Sequence, residues 1–324
     1  DLPAEAAQLM TQVLDALHLW SGSDDVDRVF RFWDAASSAR AAYRARIRLG
    51  FGGETEELEA GALNNTLEAF LSKVRDGIRR AVEMNAGMPP TYFAYSVTDY
   101  DLIVDTLGAP ERDPQGRPYV RAKGFSAAVL PLFLEGPVHA LKVQPDVAAA
   151  RDVYAAVRGS DLYDRKLGMY KVNASLSDQS HEIGRARAFT PGWLENESVF
   201  LHMEYKYLLE LLRAGLYEEF FEDFRRALVC FQDAERYGRS PLENSSFLVS
   251  SAHPDDSLHG AGFVARLTGA TAEFLSMWTT MMAGRAPFFM DGDDLCLALR
   301  PILPGWLFDE DCQVTFTFLG RTRT

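Results

Sequence analysis

Three stretches of this chain gather side chains able to hold a sugar or an anion. The first, Phe189-Thr-Pro-Gly-Trp-Leu-Glu-Asn-Glu-Ser-Val-Phe-Leu-His202, sets Trp193, Glu195 and Asn196 just ahead of an apolar run and places His202 within its first turns. An indole in a Pro-Gly loop, as at Trp193, can offer a stacking face to a sugar. The plainer reading is a capped helix start with Asn196 or Ser198 as N-cap. The second stretch runs from Tyr237 to Asp256 and carries Arg239, Glu243, Asn244, Ser250, Ser251, His253, Asp255 and Asp256 around the apolar Phe247-Leu-Val249. A solvated loop needs no such density of donors and acceptors. The third runs from Gly260 to Phe274 and includes Arg266 and the pair Thr268-Gly269 ahead of an apolar stripe. There, backbone N–H groups and a hydroxyl can meet an anion, although a Thr-Gly pair is more often plain packing.

Other chemistries find less support. The nucleotide-binding glycine patterns, the Gly-x-Ser-x-Gly elbow and His-Glu-x-x-His are all missing. His253 and His259 with Asp255 and Asp256 can be drawn as a metal site, but loop carboxylates are more often turn formers and caps. No metal and no cofactor is therefore expected. Lys plus Arg number 33 against 46 Asp plus Glu, a net charge of −13, which argues against nucleic-acid binding. No apolar run reaches the ~18–20 residues of a membrane span, and the first residues lack a secretory leader's pattern. Cys230, Cys296 and Cys312 are an odd set without Cys-x-x-Cys spacing, so a reducing, cytoplasmic setting is expected.

The elements that must position these stretches read as helical up to about residue 285. Leu67, Phe70, Leu71, Val74, Ile78 and Val82 form one stripe at spacings of three and four. Phe200, Met203, Tyr207 and Leu211 form the next, ended by Gly215, followed by Leu216, Phe220, Phe224, Leu228 and Phe231. A last stripe runs from Val264 through Leu267, Phe274, Leu275 and Trp278 to Met281. The proline-bearing residues 84–126 read as loops with short extended pieces, and 171–198 and 236–262 as long functional loops. After 290 the period changes to two, at Leu295, Leu297 and Leu299 and again at Val314, Phe316 and Phe318. Helix pairs separated by loops suit an α/α toroid. The expected organisation is a mainly α region over 1–288 and the start of a β domain over 289–324.

Taken in order, three segments resemble the C-terminal half of the inverting β-glucoside phosphorylases, which include cellobiose, laminaribiose and β-oligoglucan phosphorylases. They are Pro191-Gly-Trp-Leu-Glu195-Asn196…His202, Thr268-Gly269-Ala-Thr271, and Leu297-Ala-Leu-Arg-Pro301-Ile-Leu-Pro304-Gly-Trp306. The resemblance implies an incomplete (α/α)6 barrel followed by a β segment, and cleavage of a β-glucosidic bond by inorganic phosphate with inversion. Phosphate is then the co-substrate and a β-gluco-oligosaccharide the substrate. Carried over by position, His202, Thr268 and Gly269 would contact phosphate, with Arg266 or Arg239 adding positive charge. Trp193, Glu195, Asn196 and Glu243 would line sugar subsites.

The family's acid motif, Gly-Asp-Trp-Asn-Asp, has no counterpart here; Phe32-Trp33-Asp34 is its nearest echo and makes Asp34 the general-acid candidate. Asp34 equally suits an exposed helix position. Family members also carry an N-terminal β-sandwich that this sequence does not resemble, so a missing N-terminal segment or a partner chain is expected, with a homodimer as an alternative. Two other functions stay open. An inverting hydrolase would need a second carboxylate such as Glu197, Glu243 or Asp255 as base, and a non-catalytic subunit would only complete another chain's carbohydrate site.

Overall fold

The computed structural model describes residues 1–20, 28–144, 146–264 and 269–324. The chain divides into two compact units, residues 1–84 with 93–129, and residues 85–92 with 130–324.

In the first unit, β1 (Leu2–Pro3) leads into α1 (Ala4–Trp20), followed by α2 (Arg28–Arg46), β2 (Thr55–Glu56) and α3 (Ala60–Met84). The stripe at 67–82 falls on α3, but Leu67, Leu71, Val74 and Ile78 stay exposed. Next come β3 (Phe93–Leu102) and β4 (Val120–Val129), paired antiparallel with Phe93 opposite Val129. This corrects the expectation of loops over 84–126. Aromatic and β-branched residues such as Tyr95, Val97, Tyr119, Val120 and Phe125 favour strand. Pro110, Pro114 and Pro118 are confined to the connection, where Asp105 and Asp113 accept backbone N–H groups two and four residues on. Phe30 of α2 packs on Phe125 of β4 at 4.7 Å between ring centroids.

The second unit opens with α4 (Glu135–Val143) and α5 (Val147–Gly159), then the short strands β5 (Tyr163–Asp164), β6 (Met169–Tyr170) and β7 (Val199–Phe200). Then follow α6 (Leu201–Arg213), α7 (Tyr217–Ala227), the single turn α8 (Ala234–Tyr237), β8 (Phe247–Leu248), β9 (Gly262–Phe263) and α9 (Gly269–Ala283). Two antiparallel hairpins close the chain, β10 (Phe288–Asp291) with β11 (Asp294–Leu297) and β12 (Phe316–Phe318) with β13 (Arg321–Arg323). The core centres on α6. Leu201, Tyr205, Tyr207, Leu208, Leu211 and Leu212 are buried there, and α4, α7 and α9 pack around it. Each buried Leu contributes roughly 1.5–3 kcal/mol, which makes α6 the element that fixes the positions of its neighbours.

The expected (α/α)6 toroid is not what the chain forms. Among the described residues nine α-helices, one of them a single turn, are interleaved with six small antiparallel sheets. The reason lies in what periodicity measures. A 3.6-residue stripe marks one apolar helix face without reporting what covers it, and a ribbon or a central helix can cover it as well as a ring of helices does. Among the described residues, no helix is long and apolar enough to cross a membrane.

Candidate functional site

The site is built on the three-stranded sheet β7–β8–β9. Its register sets Phe200 opposite Phe247 and Phe247 opposite Phe263, so three phenyl rings stand side by side on one face. Phe200 and Phe247 stack at 4.6 Å, and Phe247 and Phe263 at 5.4 Å. Trp193 continues the row, lying flat on Phe263 at 3.9 Å with 3° between ring planes. At the other end His202 meets Phe200 edge-on at 5.8 Å. An aromatic row thus joins the indole and the imidazole that the sequence singled out.

The loop between them is tightly determined. Leu194 and Glu197 both adopt left-handed backbone, φ 51° and 56°, at a cost of about 1–2 kcal/mol each. Asn173 offsets it from both sides, its Nδ2 donating to the Glu195 carbonyl at 2.8 Å and its Oδ1 accepting the Glu197 amide at 2.6 Å. Asn196 Nδ2 donates to the Phe189 carbonyl at 2.7 Å, and Ser198 Oγ donates to the Leu194 carbonyl. Lys171 Nζ donates to Glu197 Oε1 at 2.8 Å, in a pair whose side chains are 12% and 9% exposed. Glu195 is gripped by Arg185 through two hydrogen bonds, 3.0 and 2.6 Å. Neither Asn196 nor Ser198 caps α6, whose N-cap position is Phe200 with no side-chain acceptor. Their side chains serve the loop instead, and Asn196 Oδ1 is buried with no hydrogen-bond partner among the described residues.

This loop and the second polar stretch are in contact. Gly192, at φ 78°, lies so close to His253 that a Cβ there would come within 2.5 Å of the His253 amide nitrogen. The Ser250 amide donates to the Gly192 carbonyl at 3.3 Å. The groups drawn above as a metal site are otherwise engaged. His259 Nδ1 faces Lys166 Nζ at 2.6 Å, its Nε2 faces the His253 carbonyl at 2.8 Å, and Asp255 accepts from Ser257. Among the described residues, no group of three or more His, Cys, Asp or Glu is gathered as a metal ion would need.

His202, the second residue of α6, faces the first turn of α9. A Cβ on Gly269 would fall 2.5 Å from His202 Nδ1, so any larger residue there would have to displace the imidazole. His202 Nε2 lies 3.5 Å from Glu273 Oε1, one turn further along the same face of α9. Burial lowers the imidazole's proton affinity, Lys206 lowers it further, and Glu273 pulls it back up. The second stretch arrives here as well, with Asn244 Nδ2 3.4 Å from Thr271 Oγ1, and Glu243 is held by Arg239 at 2.7 Å. The structure therefore brings together His202, Gly269 and the Asn244 neighbourhood, with Trp193, Glu195 and Asn196 at the far end of the aromatic row. Thr268 and Arg266 lie outside the described residues. Asp34 sits on α2 in the first unit with its side chain exposed.

Some of what holds the site was not evident in the sequence. Glu273 lies four residues beyond Gly269, a spacing that signals a shared helix face. Lys171 and Asn173 carry no such signal. Nor does the buried network that joins α5, β6, α6 and α7. Tyr170 donates its amide to Glu204 Oε1 at 2.8 Å and its hydroxyl to Asp223 Oδ2 at 2.7 Å. Arg158 binds Asp223, Glu222 and the Tyr154 hydroxyl. Burial pushes the Glu204 carboxyl up to about 8 and raises that of Asp223 against the opposing pull of Tyr170 and Arg158.

Chemically, the junction of α6 and α9 offers an imidazole beside the N-terminal residues of α9, a setting for an oxyanion. The loop offers an indole and fixed polar groups, a setting for a sugar. No protein-family model matches this chain, and no curated protein matches it.

Proposed function

We propose that the chain provides the phosphate- and sugar-binding part of a β-glucan phosphorylase, which cleaves a β-glucosidic bond with inorganic phosphate and releases glucose 1-phosphate with inversion. The observation that carries this reading is the close approach of His202 to Gly269 at the start of α9, joined by the aromatic row to Trp193. A phosphate oxygen attacks C1 while the bond from C1 to the leaving oxygen breaks on the opposite face. One acid protonates that oxygen, and no second carboxylate is required because phosphate replaces water. His202 and the α9 amides hold the phosphate, Trp193 stacks on the sugar and Glu195 addresses its hydroxyls, while the Asn196 side chain, buried in the loop, holds that segment in place. Thr268 and Arg266 complete the phosphate site, and Asp34 is the proposed acid. Both assignments rest on the resemblance alone. A partner chain or a further segment completes the enzyme, and its setting is the cytoplasm.

The carboxylates around the loop favour this reading over hydrolysis. Glu195, Glu197 and Glu243 are each bound to a cation, and Asp255 accepts from Ser257. A base that activates water needs a free carboxylate facing the bond. The test is product analysis with β-1,2-, β-1,3- and β-1,4-gluco-oligosaccharides, with and without inorganic phosphate. Glucose 1-phosphate that forms only with phosphate supports phosphorolysis. Free sugar formed without phosphate means hydrolysis, and binding without turnover leaves a carbohydrate-binding subunit.

A further inference from the structure

α3 carries an apolar stripe that the chain leaves uncovered. Leu67, Leu71, Val74 and Ile78 follow one another at spacings of four, three and four, and each is between 40% and 56% exposed. At 3.6 residues per turn they share a sector of about 60° on the helix surface. A helix laid on a broad core buries a wider stripe than this. Two positions per heptad, spaced by alternating threes and fours, make the seam along which two helices pack on each other. The chain's own contacts use a neighbouring sector. α3 packs on α1, and the half-buried Leu63, Thr66, Phe70 and Lys73 lie to one side of the stripe. On the other side stand Glu68 and Arg75, both exposed. Among the described residues neither enters an ion pair, whereas Arg79 pairs with Asp76 and Glu83, and Lys73 lies over the Phe32 ring.

Those two charges select the occupant. Glu68 and Arg75 each follow a seam residue by one position, so they stand on the same flank one heptad apart. In a parallel pair that flank would meet the opposite flank of the other helix, where Leu63, Phe70 and Gly77 offer no charge. In an antiparallel pair the same flank of both helices meets across a two-fold axis, and acid falls beside base twice over. The stripe thus complements a reversed copy of itself in both shape and charge. We propose that α3 is a self-association surface on which a second copy of this chain packs antiparallel. Leu71 lies against the partner's Val74, Leu67 against the partner's Ile78, and Glu68 beside the partner's Arg75, each contact repeated by symmetry. In that register Glu68 and the partner's Arg75 differ in height by only about 3 Å, well within the reach of their side chains. So short a seam belongs at the small end of specific interfaces, and the pairing is reversible.

The experiment is sedimentation equilibrium of the full chain over roughly a hundred-fold range of concentration. It compares wild type with Leu71→Glu, Glu68→Arg, Arg75→Glu and the double reversal Glu68→Arg with Arg75→Glu. Circular dichroism accompanies each variant, and because every substituted position is exposed the helix content should hold. Wild type should pass from monomer to dimer as concentration rises. Leu71→Glu sets an unpaired carboxylate into the seam twice and should weaken the dimer by about a hundred-fold. Each single reversal makes like charges meet at both symmetric pairs and should weaken it by about ten-fold, while the double reversal should return it to within about two-fold of wild type. Recovery in the double reversal supports the antiparallel register, since damage to the fold by either change alone would persist in the pair. Wild type that stays monomeric throughout overturns the proposal and leaves the stripe to a different occupant. A dimer that survives Leu71→Glu belongs to another surface and overturns it too. A dimer lost in Leu71→Glu but indifferent to the single reversals, or not recovered by the double one, overturns the antiparallel pairing.

Discussion

Tyr170 donates its backbone amide to Glu204 Oε1 at 2.8 Å, and among the described residues this fully buried carboxyl receives no other hydrogen bond, its Oε2 having no partner. Burial therefore outweighs the hydrogen bond, and the group keeps its proton up to about pH 8. A carboxyl that holds its proton more tightly folded than unfolded stabilises the fold below its unfolded value, and that stability is lost as pH rises through the folded one.

Glu204→Gln should remove that slope. Chemical denaturation at about pH 5 and about pH 9 should find the variant close to wild type at the lower pH and more stable at the higher, by roughly 2–4 kcal/mol. Equal differences at the two values would mean that Glu204 is not the group titrating.

Gly269→Ala places a methyl group within van der Waals overlap of the imidazole. A stability loss of about 1–3 kcal/mol is expected, together with loss of phosphate binding. In a His202→Ala background the stability loss should shrink to a few tenths of a kcal/mol, because the clashing ring is gone. A double-mutant cycle by thermal denaturation reads this coupling directly.

Arg158 is the cation that compensates buried Asp223 and also reaches Glu222 and Tyr154. Arg158→Met leaves Asp223 only the more distant Arg226, 3.8 Å away, as a cation, and a loss of about 3 kcal/mol at neutral pH is expected. The loss should lessen as pH falls and the carboxyl takes up a proton. A deficit that does not change with pH would point to lost packing alone.

Trp193→Ala removes the indole from Phe263 while His202 and α9 stay in place. Calorimetry should find gluco-oligosaccharide affinity about ten-fold weaker, in line with the one or so kcal/mol of a stacked ring, and phosphate affinity unchanged. Equal weakening of both ligands would place Trp193 in the scaffold rather than at a sugar subsite.

What could be read in advance follows from which interactions are local. The stripes on α6 and α7 are visible because a helix repeats its buried face every three to four residues, whereas the stripe on α3 is visible although Leu67, Leu71, Val74 and Ile78 are exposed. The concentration of donors between Trp193 and His202 was likewise visible along the chain. Ring closure into a toroid was not, since periodicity does not report what covers a face. The ten-residue strands β3 and β4 were hidden behind the prolines of their connection. Lys171 and Glu197 are separated by 26 positions, and neither residue type announces the other. The contact of His202 with Glu273 likewise exists only once α6 and α9 are packed.

The two left-handed residues that bracket Glu195 and Asn196 have a kinetic consequence. Held by Asn173, Lys171, Ser198 and the Phe189 carbonyl, the segment has given up its freedom during folding rather than at the moment of encounter. An incoming molecule meets a preset jaw, so its capture rate should follow diffusion and solvent viscosity, with no slow rearrangement phase after mixing.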